Sequence, residues 1–519
     1  MTLSNDLLIL IKERGLLLEK DIFDLLSGFQ DNGSAQAFLL SLEKVVGQKV
    51  ITKSILHNNV EYLQQAVSQL PGETRSSVEN VCVRLGLRIE IQRERALPTA
   101  SNKPASHQIF YADTKTYKKL EVKDFTRHFR SRYQQIQRIL LQRPELQNLI
   151  AINKISSNRQ NVSIIAMVRE KRTTKNKNII LCLEDLTGEI NALIRADREE
   201  LFAIGQELQL DDIVALKASG NREMLFIHEL YFPDSFLPSK TKFSNDVSIA
   251  FLSDVHAGSD RHLGQNMQRF LDWIRSDDTT ARKIKYIFFS GDNVDGVGIF
   301  PGQEHVLKLK SMREQYALLA SYLRQIPSHI TLFMCPGQHD AVRVAEPQPL
   351  IERTYAPELY EIENLVLVTN PALIKLREGD KEFKVLMYHG ASIHSFINEI
   401  PELRLMKAHQ TPAKAVRHML KRRHLAPSHS SVVYIPHSER DPLVIDEVPD
   451  VLCTGEVHRP DIESYNGTLI ITGSCWQSQT PFEEKVGNVP DPAKVPVLNL
   501  KTRELKILDF GMEETHANS

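Results

Sequence analysis

Cysteine is scarce and dispersed in this sequence. Its 519 residues hold five, Cys82, Cys182, Cys335, Cys453 and Cys475. They stand too far apart for a CxxC zinc pattern or a disulfide framework, so they read as reduced core thiols. Long hydrophobic runs are also missing. No apolar stretch approaches the roughly 18 residues of a membrane helix, which excludes a membrane span. The opening MTLSNDLLILIKERG has no basic start and no small-residue cleavage site, so it does not read as a signal peptide, and a cytoplasmic location is expected. Neither sign of charge is in excess: 64 Lys plus Arg face 65 Asp plus Glu, a formal net charge of −1. A chain that binds nucleic acid unaided usually carries a basic surplus. This balance suits a subunit whose substrate is delivered by a partner.

The composition, 42% hydrophobic and 25% charged, is that of a globular protein, and the length exceeds one ordinary core. Two or three domains are expected. Over residues 1–70 apolar residues recur at helical spacing (Leu7, Leu8, Ile11; Ile22, Leu25, Leu26; Phe38, Leu39, Leu42), which predicts a small helical bundle suited to protein docking. Residues 94–121 begin with ERALPTASNKPASHQ, where large apolar groups are almost absent, and read as a flexible linker. The segment 122–240 opens with one long amphipathic helix ending near Pro144. Its arginines 127, 130, 132, 138 and 143 suit solvated helix surface better than a nucleic-acid backbone. Five period-two stretches follow, with a short helical stretch between the third and fourth, the layout of an oligonucleotide-binding barrel. Residues 244–511 alternate strands with helices, an α/β sandwich pattern. Within them lies a basic helix, Ala413 to His424, holding Arg417, Lys421, Arg422 and Arg423. Solvated face and phosphate contact are equally good readings of it.

Inside 244–511, five apolar strands each end in side chains able to bind metal. FLSDVH ends in Asp254 and His256, IFFSGDNVDG carries Asp292, LFMCPGQHD carries Gln338 and His339, VLMYHG ends at His389, and VLCTGEVH brings Glu456 and His458. The carboxyl ends of strands are where open α/β sheets bind ligands. Asp, Glu, His and an amide oxygen suit hard or borderline divalent ions. A carboxylate can bridge two ions roughly 3.5 to 4 Å apart, as in two-metal phosphoesterases, so the predicted chemistry is phosphoester hydrolysis.

These stretches, Asp254-x-His256, Gly291-Asp292, Gly337-Gln338-His339-Asp340, His389-Gly390 and Gly455-Glu456-x-His458, resemble in content and order the five motifs of the calcineurin-like binuclear metallophosphoesterases. GDNVDGVG, the RRHLAP run from Arg422 to Pro427 and the upstream barrel make the resemblance strongest to the small-subunit family of archaeal family D DNA polymerases, over roughly residues 122 to 510. The resemblance implies an α/β fold class: an N-terminal helical bundle, an oligonucleotide-binding-type β-barrel and a four-layer α/β/β/α phosphoesterase domain. It also implies two divalent cations, Mn²⁺ first, with Mg²⁺, Fe or Zn²⁺ as alternatives. Asp254, His256, Asp292 and His458 would hold one ion, and Asp292, Gln338, His389 and Glu456 the other. His339 and Asp292 would be catalytic, and the reaction 3′ to 5′ exonucleolytic proofreading.

The implied partners are a large catalytic polymerase subunit, the DNA primer 3′ end and, through residues 1–70, a sliding clamp or primase. Residues 497–510 are expected in the docking surface. The family pattern has Asn and His where this chain has Gln338 and Glu456, so both departures fall on the second ion. The rival readings are a catalytically weak or inactive scaffold, like the corresponding non-catalytic subunits of eukaryotic replicative polymerases, and a small-molecule phosphatase or cyclic-nucleotide phosphodiesterase.

Overall fold

The computed structural model describes residues 106–114 and 119–511, with residues 11–19 and scattered positions between 26 and 51. The chain divides into two compact units, Met1–Lys103 and Pro104–Ser519. In the first, β1 (Leu17–Leu18) pairs parallel with β2 (Val50–Ile51). The bundle expected over residues 1–70 is therefore not purely helical. Two-residue strands are too short to leave a period-two signal. The rest of that bundle lies outside the described residues.

The second unit begins with β3 (His107–Tyr111), followed by helix α1 (Val122–Leu140). Asp124 accepts the Glu121 backbone N–H at 2.9 Å and so fixes the start of α1. The helix buries Tyr133, Ile136 and Leu140 against Ile165, Ile213 and Ala215. These last belong to a closed barrel of β4 (Gln160–Thr173), β5 (Ile179–Asp185), β6 (Gly188–Ile194), β7 (Ile213–Gly220) and β8 (Leu225–Tyr231), ordered β4-β5-β6-β8-β7. Helix α2 (Glu199–Glu207) links β6 to β7. All five strands fall where the sequence places them, but only β5 and β6 alternate throughout in burial; β7 is buried at all but one position, and β4 over most of its first half.

The remaining elements are β9 (Ser248–Leu252), α3 (Gly264–Ile274), β10 (Ile284–Ser290), α4 (Met312–Leu323), β11 (Thr331–Cys335), β12 (Leu365–Leu367), β13 (Ala372–Glu378) and β14 (Lys381–Met387). After them come α5 (Ile393–Glu399), α6 (Pro401–Leu405), α7 (Ala413–Arg422), β15 (Val451–Thr454), β16 (Asp461–Tyr465), β17 (Thr468–Thr472), α8 (Pro481–Val486), β18 (Lys494–Asn499) and β19 (Leu505–Asp509). The strands form two six-stranded sheets, ordered β12-β11-β10-β9-β18-β19 and β16-β17-β15-β14-β13-β3.

Side-chain alternation explains how the sheets stack. Ile249, Phe251, Tyr286, Phe288 and Phe333 of the first sheet share one core with Phe383, Val385, Met387, Val451 and Ile471 of the second. The intervening residues point the other way. Leu252, Ile287 and Met334 pack under α3 and α4, while Leu386, Leu452 and Ile470 pack under α5 and α7. Strands buried on both faces read as unbroken apolar runs, which is why they stand out in the sequence.

The linker expected over 94–121 needs correction. Residues 107–111 form β3, an edge strand antiparallel to β13, with Ile109 opposite Ile374. Tyr111 is half exposed, as is Phe110, so the strand lacks the apolar density that marks a central one.

The basic helix is corrected too. On α7, Arg422 Nε donates to Asp212 Oδ1 at 2.8 Å, and its Nη2 donates to the Glu207 carbonyl at 2.8 Å. Lys421 Nζ reaches Glu207 at 2.6 Å, and Arg417 reaches Glu463 at 3.2 Å. Arg423 donates to the Ile445 carbonyl at 2.7 Å. These cations tie α7 to the barrel and neighbouring loops, so the phosphate-contact reading falls. Of the arginines read on this segment, Arg132 on α1 is buried with its Nε 2.6 Å from Asp441, and Arg143, just beyond the helix, donates to the Phe232 carbonyl at 2.8 Å.

Candidate metal centre at five strand ends

Every residue predicted for the site lies just past the carboxyl end of β9, β10, β11, β14 or β15, and these five ends meet between the two sheets. Backbone bonds extend the pairing beyond the strands: Asp254 N–H donates to Gly291 O at 3.0 Å, His256 N–H to Asp292 O at 3.1 Å, and Gly455 N–H to His389 O at 2.7 Å. Asp254, His256, Asp292, Glu456 and His458 all take left-handed backbone angles, with φ of 51°, 46°, 46°, 73° and 59°. This turns each side chain sharply off its strand and into the common space. Two glycines make the convergence sterically feasible. A Cβ at Gly337 would stand 2.2 Å from Asp292 Oδ1, and one at Gly291 would stand 2.3 Å from His389 Nδ1.

Three groups of ligand atoms each fall within 4.8 Å of one another: Asp254 with His256 and His458; Asp254 with Asp292 and His389; and His256 with Asp295 and His339. The sequence reading makes Asp292 the carboxylate common to both ions. In the structure Asp254 is the one shared by two groups, and Asp292 lies in one. His389 Nε2 stands 3.3 Å from Asp292 Oδ2 and 3.1 Å from Glu456 Oε2. Gln338 Nε2 donates to Glu456 Oε2 at 2.9 Å. Asp254 Oδ2, Gln338 Oε1 and His389 Nε2 are buried without a hydrogen-bond partner among the described residues. Orphaned acceptors converging on anionic carboxylates are the donor set that a hard divalent cation satisfies, so the residues fit the implied metals.

The carboxylates and imidazoles of the site hold one another in charged form. Burial opposes ionisation of Asp292, but the imidazoles of His389 and His339 overcome it and hold the carboxyl well below the usual range. Burial likewise opposes a charged His389, and Asp292 overcomes it, so that imidazole titrates well above its ordinary value. Asp340 does not face His339. Its carboxylate accepts from Gly337 N–H at 2.9 Å, Asn293 N–H at 3.1 Å and Tyr316 OH at 2.9 Å, pinning the loop, and burial followed by the nearby Asp292 raises its pKa to about 6.

Several residues that build the site carry little signal in the sequence. Asp295 binds His256 Nδ1 at 3.1 Å through its carboxylate and His339 Nδ1 at 2.6 Å through its carbonyl. It sits three residues after Asp292 in GDNVDG, and that spacing is its only signal. Glu483 holds His458 Nδ1 at 2.8 Å with one oxygen and accepts Thr480 N–H at 2.8 Å with the other. In sequence its Thr-x-x-Glu spacing announces only a helix cap. His394, five residues beyond His389, brings Nε2 to 3.5 Å from Glu456 Oε1.

Residues 249–463 match the family model for the B-type subunits of DNA polymerases alpha and epsilon. Among relatives, the DNA polymerase II small subunit of Methanothermobacter thermautotrophicus is 36% identical over 403 residues, 76% of this chain and 81% of that one. That of Thermoplasma acidophilum is 31% identical over 424 residues, covering 81% and 83%. That of Pyrococcus furiosus is 36% identical over 395 residues, 74% of this chain but 63% of that longer protein. Among solved structures, that of a novel archaeal phosphodiesterase aligns with 50% of this chain and 99% of its own at 12% identity and a TM-score of 0.25, too slight a likeness to bear on the fold. On the sequence relationships, this chain belongs to the archaeal DNA polymerase II small subunit family, the small subunits of family D DNA polymerases.

Proposed function

We propose that this chain is a metal-dependent 3′ to 5′ exonuclease acting on DNA primer ends and a scaffold for a larger catalytic polymerase subunit. In this reading the two stacked sheets with their outer helices are a calcineurin-like α/β/β/α domain, and the five-stranded barrel is of oligonucleotide-binding type. The observation that carries it is the convergence of Asp254, His256, Asp292, His389 and His458 from separate strand ends, with buried acceptor atoms of Asp254 and Gln338 left without partners among the described residues. The relatives are each named a small subunit, which supports a larger partner for this chain. The edge strand β19, with Ile507 45% exposed, suits that contact.

Asp254, His256, Asp292 and His458 would hold one divalent cation, and Asp292, Gln338, His389 and Glu456 the other. When bound, such a pair, Mn²⁺ first, supplies a hydroxide near neutral pH and offsets charge on the phosphoryl oxygens. Asp295 and Glu483 each take the Nδ1 of a histidine, which leaves Nε2 of His256 and His458 facing the pocket. His339 is held the same way by the Asp295 carbonyl, so its Nε2 is free to carry a proton to or from the leaving 3′-oxygen.

The test is release of mononucleotides from a 3′-labelled mismatched primer by the chain, alone and with its large subunit, in Mn²⁺, Mg²⁺ or chelator. Release that is lost with chelator and with Asp292→Asn supports the nuclease. No release under any of these conditions leaves the scaffold, a reading favoured by one observation: the Glu456 carboxylate already accepts a hydrogen bond from Gln338 Nε2 at 2.9 Å.

A further inference from the structure

A cleft of about 510 Å³ opens directly beside the metal centre, and Gln338 and His339 belong to both. Its rim carries Val297, Ile299, Val344 and Tyr355, exposed by 45%, 39%, 55% and 44%. Apolar groups clustered in the open around a polar site mark a place where something binds. The walls are rigidly built. Val297 and Ile299 ride on a loop whose Gly296 N–H donates to Gln315 Oε1 at 2.9 Å, while the Ile299 N–H donates to Gln303 Oε1 at 2.9 Å. Both glutamines are buried, at 0% and 1% exposure. The opposite wall is held by Arg343, whose Nη2 donates to the Pro347 carbonyl at 2.6 Å and whose Nε donates to the Ala345 carbonyl at 3.1 Å. Asp295 starts the first wall and also positions His256 and His339, so the cleft and the reacting centre are fixed by one residue.

We propose that this cleft is a subsite for the nucleobase of the 3′-terminal nucleotide, stacked on Tyr355 between the aliphatic walls. The proposal rests on the phosphodiesterase reading above. A phosphodiester placed between His339 and the metal ligands has its terminal nucleoside next to the cleft, whose volume falls in the range of small-ligand pockets. The ligand must combine a flat apolar face with an anionic end at the metals, which a nucleoside 5′-phosphate does. The walls offer an aromatic and aliphatic faces, and stacking of that kind accepts any base. A terminal nucleotide freed from its template strand reaches such a cleft, whereas one held in a base pair does not.

The experiment is equilibrium dialysis of the full chain with dAMP and with 2-deoxyribose 5-phosphate, with and without Mn²⁺. dAMP is expected to bind roughly 5- to 100-fold more tightly than the sugar phosphate, the range expected for one stacked base. Tyr355→Ala and Val344→Asp should each shrink that ratio, while Tyr355→Phe should keep it. Equal binding of the two ligands by the wild type overturns the proposal whatever the variants do. Equal binding together with loss of large-subunit association in Tyr355→Ala also overturns it and gives the cleft to a protein partner. Wild-type cleavage of methyl 4-nitrophenyl phosphate, which has no base, reports separately on the metal centre. Discrimination without cleavage keeps the subsite and sinks the nuclease; cleavage without discrimination does the reverse.

Discussion

The amide of Gln338 donates to the carboxylate of Glu456 at 2.9 Å across 118 residues of chain, so the two positions where the sequence departs from the motifs it resembles touch each other. Each departure is therefore the other's environment. Glu456 also faces His389 at 3.1 Å and His394 at 3.5 Å, so Gln338 and two histidines meet on its carboxylate.

The contact predicts strong non-additivity. Gln338→Asn alone leaves the Glu456 carboxylate without its donor, and Glu456→His alone places an imidazole against an amide built for an anion. Each single change is expected to weaken Mn²⁺ binding, and the double change to recover it or to shift the preference toward Zn²⁺. A coupling of roughly 0.5 to 3 kcal/mol is expected by calorimetric titration of the four proteins. Additive effects would show that the pair does not act as a unit.

Asp292→Asn and His339→Ala should fail in different ways. Asp292 Oδ1 accepts the His339 N–H at 2.9 Å, and its Oδ2 faces His389 at 3.3 Å, so an amide there is expected to disturb both the proposed metal site and the loop that carries His339. Nuclease activity below about a tenth of wild type, with an unchanged circular dichroism spectrum, is expected. His339→Ala should keep metal affinity and lose rate by about 10² to 10⁴. Loss of metal in the His339 variant would contradict the role given to it.

Arg422 and Asp212 form a buried pair at 2.8 Å between α7 and the barrel. Arg422→Met leaves the Asp212 carboxylate buried without its cation, a loss of about 3 to 5 kcal/mol. Arg417→Ala, which removes a more exposed pair, should cost under about 1 kcal/mol. Urea unfolding of the two variants checks the order. The same contacts predict that neither change alters the salt dependence of DNA binding.

His128 is buried against Asp441 and Arg132, and burial is the main reason its pKa falls to about 4, with Asp441 opposing the shift and Arg132 adding to it. A histidine with its folded pKa below the unfolded value near 6.5 is neutral in the fold, so protons favour the unfolded chain as pH drops from about 6.5 towards 4. Between pH 7 and 5 this one group should withdraw about 2 kcal/mol of stability. His128→Gln should therefore show a smaller gap between its thermal midpoints at pH 7 and pH 5 than the wild type. An unchanged gap would rule out this origin.

The strand ends are legible in the sequence because strands such as SIAFL and YIFFS are buried on both faces, and their polar ends stand out against them. Of the barrel strands, β5 and β6 are legible for the opposite reason, an alternation of buried and less buried positions, whereas β4 and β7 again read as apolar runs. What escapes is everything decided at long range. Residues 107–111 look like linker because half of an edge strand faces solvent. The charges of α7 look available because Glu207 and Asp212 lie some 200 residues upstream. Glu483 is hidden by doing two jobs at once, and a helix cap accounts for its spacing without any metal ligand.

The left-handed backbone at Asp254, His256, Asp292, Glu456 and His458 also restricts the alphabet open to these positions. Apart from glycine, the residues that enter that region with least penalty are Asn, Asp and His, the same short polar side chains that ligate hard and borderline metals. Backbone and chemistry thus filter mutations independently and admit nearly the same few letters. Four of the five positions obey both filters. Glu456, at φ 73°, obeys only the chemical one. Drift at the other four meets resistance from the chain itself even when selection for metal binding is relaxed, so a member of this family that had lost its activity would keep the look of an active site long afterwards.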